Sequence, residues 1–505
     1  MEITEFQHTP FYPTYKKICD FGKMQVKIHQ IQALLWMLKR ENAPDESTLG
    51  LRGGIIADEM GLGKTFQMIS LIACNFKRRT LIILPPILIQ QWIDAFKAIT
   101  GHSPFVYHKK FNKNFDLQRL QHSPIVITSY AMISTGTKKP INILHEIKWN
   151  RIIFDEAHHL RNKNTGAFAG ASTLRSNIKW FVTGTPIQNK MNDLYALCDI
   201  LGMKRQFYRK KDNHPCIKEN LILRRTKNDV DIKLPDVVMN HVLIPVNDFE
   251  NPIFDELHSV LPFNVEEQTD DTNRSDDENT DYDNETINEI TIKGNKKIKD
   301  PFIPETRLFT RLYDNILPIF IKARQLCIYP PMLQKTIYDN KGLIETPRDL
   351  ASYYKSSIDT KKLDTLVLFL QERRENRKIV FCYFKREIDY LSCQLSSMNI
   401  QNKIIDGRTT LTQKNSILRK SPEILILQIQ TSCEGLNLQH YSEVYFTSPH
   451  WNPSIESQAI ARCHRTGQTK NVSVYKFIFT SSNTSIEEYI LSIQKYKSSL
   501  ANKIL

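Results

Sequence analysis

Short runs of β-branched and apolar residues recur through the first half of the chain: TLIIL at 80–84, PIVIT at 124–128 and RIIF at 151–154, separated by amphipathic stretches. Brief β-rich runs alternating with helical patterns read as βα units on a parallel sheet. From Ile28 the rhythm holds to about residue 246, then resumes with KIVFC at 378–382, KII at 403–405, ILIL at 424–427 and VYF at 444–446. The pattern therefore predicts an α/β protein with two parallel-sheet lobes in tandem. We place an N-terminal extension at 1–25, a first lobe at 26–246, a linker at 247–305, a helical lead-in at 306–360 and a second lobe at 361–505. Within the linker, residues 263–299 begin with a stretch rich in Asp, Glu, Asn and Thr and nearly free of large apolar side chains. Such a segment cannot bury enough surface to offset its ordering entropy, so a disordered insert is expected there.

Composition narrows the picture. The 505 residues carry 68 Lys+Arg against 54 Asp+Glu, a formal net charge of +14, which makes a polyanionic partner plausible without naming it. Nine cysteines are scattered singly, with no C-x-x-C pair for zinc or redox work, a usage that fits a reducing compartment. No apolar run reaches the length of about 18 residues that a membrane helix needs, and the N-terminus lacks a signal-peptide pattern. A soluble intracellular protein is the expectation.

The chemistry begins at GGIIADEMGLGKT, residues 53–65, where an apolar strand runs into a glycine turn and a helix opening at Lys64. Gly61 and Gly63 let backbone N–H groups close around phosphates, Lys64 reaches the β and γ oxygens, and the Thr65 hydroxyl can ligate Mg²⁺. The strict phosphate-loop pattern fails at one place, since Asp58 stands where its first glycine belongs. A second element, RIIFDEAH at 151–158, sets two carboxylates at a strand end. There Asp155 can hold Mg²⁺ through water and Glu156 can polarise an attacking water.

DEMGLGKT at 58–65, DEAH at 155–158 and TGTPIQN at 183–189 resemble motifs I, II and III of the SWI/SNF-type (SNF2-like) DNA-translocating ATPases of helicase superfamily two. In that family an acidic residue before the glycines is usual, so Asp58 fits this branch. The resemblance implies two RecA-like lobes, and makes Asp58, Glu59, Met60, Gly61, Leu62, Gly63, Lys64 and Thr65 the nucleotide loop. Gln30, in IHQIQALLW at 28–36, becomes the reader of adenine. LPP at 84–86 with QW at 91–92 is similar to motif Ia, and TSY at 128–130 to the next DNA-facing motif, which assigns DNA contacts to Pro85, Thr128 and Ser129. LRRTK at 223–227 resembles the basic segment that ends the first lobe.

In the second lobe, QAIARCHRTGQ at 458–468 matches motif VI at every specified position, and so makes Gln458, Arg462 and Arg465 catalytic. The two arginines stand three apart and share a face if the backbone there is helical. They are the candidates for stabilising transition-state charge on an ATP held by the other lobe. QTSCEGLNL at 430–438 resembles motif V, with Cys433 and Glu434 where the family more often has small residues. It assigns nucleotide contact to Gly435 and Asn437 and a DNA contact to Thr431. WNP at 451–453 and DGRT at 406–409 match further DNA-facing segments, through Trp451 and Arg408, although Trp451 also reads as an ordinary half-buried core residue.

The implied function is ATP-dependent translocation on double-stranded DNA without strand separation, remodelling or displacing bound proteins in transcription, repair or chromatin. ATP and Mg²⁺ are the cofactors, duplex DNA the partner with RNA possible, and targeting falls to protein partners of a monomeric motor. Rival readings are a strand-separating DNA or RNA helicase, an ATPase that releases RNA polymerase as in some large DNA viruses, and a non-catalytic DNA-binding scaffold. The scaffold predicts damage at Lys64, Asp155, Glu156 or Arg465, and all four are present. The expected location is the nucleus in a cell, or the virion or cytoplasmic replication site in a virus.

Overall fold

The computed structural model describes residues 6–42, 48–111, 117–136, 141–184, 191–230, 234–245, 251–259, 308–313, 316–344, 346–432, 436–465, 467–481 and 484–504. The acidic stretch, the TPIQN part of the motif III match and Gly435 lie outside them. The chain divides into two compact units, residues 1–233 with the last five residues, and residues 234–500. Each holds one parallel sheet, as the apolar runs predicted.

The first sheet has seven strands, β1 (Gly53–Ile56), β2 (Thr80–Leu84), β3 (Phe105–Val106), β4 (Ile125–Ser129), β5 (Trp149–Asp155), β6 (Ser176–Val182) and β7 (Ile222–Leu223). Their order is β3-β4-β2-β5-β6-β1-β7 and every pairing is parallel. All of β1 and β2 and six of the seven residues of β5 are buried, because helices cover both faces and leave no side of those strands to water. Among the covering helices are α1 (Tyr12–Phe21), α2 (Ile28–Asn42), α3 (Lys64–Cys74) and α4 (Ile89–Thr100). Helix α1 falls in the stretch that the sequence set aside as an extension, yet Tyr15, Ile18 and Cys19 are buried in one apolar cluster with Phe66 and Ile69 of α3. A buried ion pair stitches the base of this unit: Glu41 of α2 accepts from the Arg151 guanidinium of β5, from Trp180 Nε1 at 2.8 Å and from Asn75 Nδ2 at 2.7 Å. Every lone pair so engaged offsets part of the desolvation of a carboxylate that is 1% exposed.

The second sheet runs β10-β11-β9-β12-β13-β8, again all parallel. Its strands are β8 (Val237–Pro245), β9 (Lys378–Cys382), β10 (Asn402–Ile405), β11 (Ile424–Gln428), β12 (Glu443–Phe446) and β13 (Val472–Thr480). Here the boundary drawn from sequence is corrected. Strand β8 was counted with the first lobe, but it pairs with β13 from Val237↔Val472 to Thr480↔Pro245, so the second unit begins before it. The helix Pro252–Ser259, in the expected linker, buries Ile253, Phe254 and Leu257 in the same core as α5 (Ile316–Ile328) and α6 (Lys361–Glu372). No described helix is long and apolar enough to cross a membrane.

Candidate nucleotide site and arginine turn

In open parallel sheets ligands collect beyond the carboxyl ends of the strands. In the first unit β1, β6 and β5 are neighbours, so their carboxyl ends bring together the 57–63 loop, Thr183-Gly184 and Asp155-Glu156. The loop turns into α3 through Gly61 (φ 95°) and Gly63 (φ 84°), both left-handed. Glycine is required at 63 twice over, since a Cβ there would also stand 2.5 Å from Gln30 Nε2. At Gly184 a Cβ would lie 3.8 Å from Lys64 Nζ and 3.3 Å from Met60 Cγ, which places the start of the motif III match against the loop. Lys64 Nζ donates to the Asp58 carbonyl at 2.7 Å. Glu59, Met60, Gly63 and Thr65 are half-buried, Gly61 is exposed and Leu62 is buried.

Asp155 closes β5 and is held on both oxygens: Oδ2 accepts from Trp92 Nε1 at 2.7 Å and Oδ1 from the Glu156 amide at 3.0 Å. Burial, then the neighbouring Glu156 charge, pushes its carboxyl up to about 7, while the Trp92 bond and the nearby Lys64 pull the other way. Glu156 sits in left-handed backbone (φ 52°, ψ 52°), a conformation that costs about 1 kcal/mol or more outside glycine and is retained where it aims a side chain. Its Oε2 lies 3.3 Å from His158 Nδ1. Tyr130 donates its hydroxyl to the Asp155 carbonyl at 2.8 Å, which fixes the strand end itself.

Gln30 is 4% exposed on α2, with Nε2 3.4 Å from the Leu62 carbonyl, and its Oε1 is a buried acceptor with no hydrogen-bond partner among the described residues. His29 Nε2 approaches the same carbonyl at 3.2 Å, and burial pulls the His29 pKa down, towards the neutral ring. The structure thus gathers Gln30, Asp58, Lys64, Thr65, Asp155 and Glu156 at one end of one sheet.

The expected DNA contacts of this unit fare differently. Thr128 and Ser129 end β4 and are fully buried, and the Thr128 hydroxyl donates to the Tyr107 carbonyl at 2.8 Å. Pro85 is buried while Pro86 is exposed. The side chains of these three residues are thus enclosed at the strand ends rather than presented on the surface.

In the second unit the helix α7 (Pro453–Ile460) carries the buried Gln458 and ends before the two arginines. The backbone continues as tight turns, with Arg462 N→Ala459 O at 3.2 Å and Arg465 N→Cys463 O at 3.1 Å, so the helical spacing expected at 462–465 is replaced by a turn. That turn is anchored from below. Gln468 Nε2 donates to the carbonyls of Gln439 and Tyr441, both at 3.0 Å, and the Leu438 amide to the Arg462 carbonyl at 3.1 Å. The motif V and VI matches are therefore bonded to each other. Both guanidiniums are half-buried, and burial followed by the Arg462 charge pulls the Arg465 pKa down, so the two charges are close enough to repel. Asn437, which precedes Leu438, is exposed.

Arg408 is exposed and bound to Asp389 at 2.7 Å and Asp406 at 2.5 Å. Trp451 is half-buried, edge-on to Phe320 at 5.5 Å and to Tyr489 at 6.5 Å, as its core reading expects. Thr431 lies in the short helix Ile429–Ser432.

Sequence reasoning missed two supporting side chains. Trp92 was noted only within the motif Ia match, and Arg225 only within a basic segment. Asp58, a charge where a glycine belongs, was the signal that a cationic partner had to exist nearby.

A family model for the SNF2-related domain matches residues 29–303, more than half of the chain, and one for the helicase conserved C-terminal domain matches 361–467. The chain belongs to the SNF2-related family. SNF2-related proteins like it include an uncharacterized ATP-dependent helicase of Mycoplasma genitalium, 26% identical over 480 residues, which cover 90% of this chain and 40% of that protein. A probable global transactivator of Orgyia pseudotsugata multicapsid polyhedrosis virus is 24% identical over 503 residues, 94% of this chain and 90% of the viral one. The chain thus spans under half of the mycoplasmal helicase and nearly all of the viral relative. Among solved structures, the Sulfolobus solfataricus SWI2/SNF2 ATPase core in complex with dsDNA aligns over 96% of this chain and 93% of its own at 22% identity, with a TM-score of 0.36, too low to carry weight.

Proposed function

We propose that the chain is a duplex-DNA-dependent ATPase that translocates along DNA and displaces or remodels bound proteins, in transcription, repair or chromatin. The observation that carries this reading is the constellation of the buried Asp155 and Glu156 at the end of β5 with the half-buried Lys64 that opens α3, and Gln30 beside the glycine loop. Lys64 and the loop amides grip the phosphates, Gln30 reads the base with its buried amide oxygen, and Glu156 orients the attacking water. The donor set fits Mg²⁺. Asp155 is a buried carboxylate crowded by a second one, with Lys64 nearby, and Thr65 lies in the first turn of α3. Bound there by Thr65 and Asp155, Mg²⁺ would neutralise phosphate charge. Arg462 and Arg465 are the groups proposed to complete turnover, and the ordered turn that carries them supports that role.

Duplex DNA as the track is supported by the net charge of +14 and by the likeness to DNA-translocating members of the family. The test sets two assays side by side, ATP-driven displacement of a third strand from a triplex and separation of a plain duplex. Triplex displacement with an intact duplex is expected. Separated strands with untouched triplexes would overturn translocation in favour of unwinding.

A further inference from the structure

Asp58 is fully buried, a charge taken out of water inside a loop meant to attract phosphates. Such a carboxylate persists only if it is paired and hydrogen-bonded. Its partner is Arg225, whose Nε donates to Oδ1 at 3.0 Å and Nη2 to Oδ2 at 2.5 Å, while Gln67 Nε2 adds a bond to Oδ2 at 2.9 Å. The two-pronged fork fixes the carboxylate in direction and in rotation, which an ammonium could not do.

The same guanidinium has a third engagement, with Nη1 donating to the carbonyl of His29, the residue before Gln30. The backbone around Arg225 is itself laid against the loop, through Ala57 N→Leu223 O at 2.7 Å and Glu59 N→Arg225 O at 2.8 Å. Lys227 extends the clasp, its amide donating to Glu59 Oε2 at 2.8 Å and its ammonium lying 3.1 Å from Oε1.

We infer that Arg225 is a positioning residue that ties the phosphate loop to the base-reading Gln30, so that one side chain sets both affinity for the phosphates and selectivity for adenine. This rests on the nucleotide-binding reading above. A guanidinium that only stabilised the fold would, when lost, weaken all nucleotides equally. One that spaces loop and reader makes adenine selectivity fall as well.

The experiment measures binding of a fluorescent ATP analogue with Mg²⁺ to the full chain, displaced by ATP or by GTP. It compares the parent, R225K, R225Q, D58N, Q30A and the R225Q/Q30A pair, with a thermal melt of each. R225K and R225Q are expected to weaken ATP about tenfold or more and to lower the ATP-to-GTP preference towards that of Q30A. Adding R225Q to Q30A should lower the preference no further. D58N, which leaves the His29 contact in place, should weaken ATP and GTP by similar factors. The inference is overturned if every folded Arg225 variant keeps the parent's preference, or if R225K, the variant most able to fold, binds both nucleotides as the parent does. Failure of the underlying reading looks different: the parent binds neither nucleotide, or K64A binds as tightly as the parent.

Discussion

The two units carry parallel sheets of similar size but order their reactive groups by opposite means. At the phosphate loop the ordering bonds run to carboxylates: buried Asp58 pairs with Arg225, half-buried Glu59 with Lys227, and buried Asp155 accepts from Trp92. At the arginine turn they include neutral bonds made by the Gln468 amide and by backbone N–H groups, and the guanidiniums of Arg462 and Arg465 stay half-exposed. The difference follows from the task. A pocket that is to hold a polyanion needs carboxylates and cations kept close without collapsing onto each other, whereas the proposed activating turn needs its backbone held so that two like charges can stand near one another.

The sharpest way to break this comparison is to neutralise a group on each side. Glu156→Gln should lower ATP turnover by on the order of 10³-fold or more while the nucleotide still binds, as steady-state turnover and a binding titration would show. Arg465→Ala should lower it by a comparable or smaller factor, on the order of 10³-fold, and leave nucleotide affinity nearly unchanged. Equal losses of affinity in both would erase the distinction between a gripping side and an activating side.

Trp92→Phe tests the ordering bonds themselves. It keeps most of the buried ring volume and removes the Nε1–H that fixes Asp155, so turnover should fall about tenfold and the Mg²⁺ concentration needed for half-maximal rate should rise.

Stability against pH gives a smaller effect with a defined sign. The Asp155 carboxyl, pushed up to about 7, holds its proton in the folded state through a range where the unfolded chain has lost it, so it lowers stability as pH rises from about 4 to 7 and no further above that. Asp155→Asn removes this cost, and its melting temperature should exceed the parent's by several degrees at pH 8 with the gap closing towards pH 4. Smallest of all, Asp389→Asn releases one of the two carboxylates on the exposed Arg408. Duplex affinity should then rise by less than about threefold, the scale of a surface ion pair.

Much of this architecture is legible in the residues because strand and loop chemistry are local. The runs at 80–84, 151–154, 378–382 and 424–427 became central parallel strands, and the glycines at 61 and 63 took the left-handed backbone that a phosphate loop demands. What stayed hidden was non-local. Strand β8 belongs to the second sheet because it pairs with β13, which lies far along the chain, and nothing within residues 237–245 announces that partner. Thr128 and Ser129 looked available to phosphates as a tripeptide, but at the end of a doubly covered strand they are enclosed. Arg225 could be read as one more surface charge until its three bonds to Asp58 and His29 were seen.

The central claim is that ATP hydrolysis by this SNF2-related chain answers to duplex DNA. Its most direct test is the turnover rate measured with no nucleic acid, with single-stranded DNA, with duplex DNA and with RNA at one salt concentration. The account predicts that the duplex stimulates turnover well above the other three; equal rates in all four would contradict it.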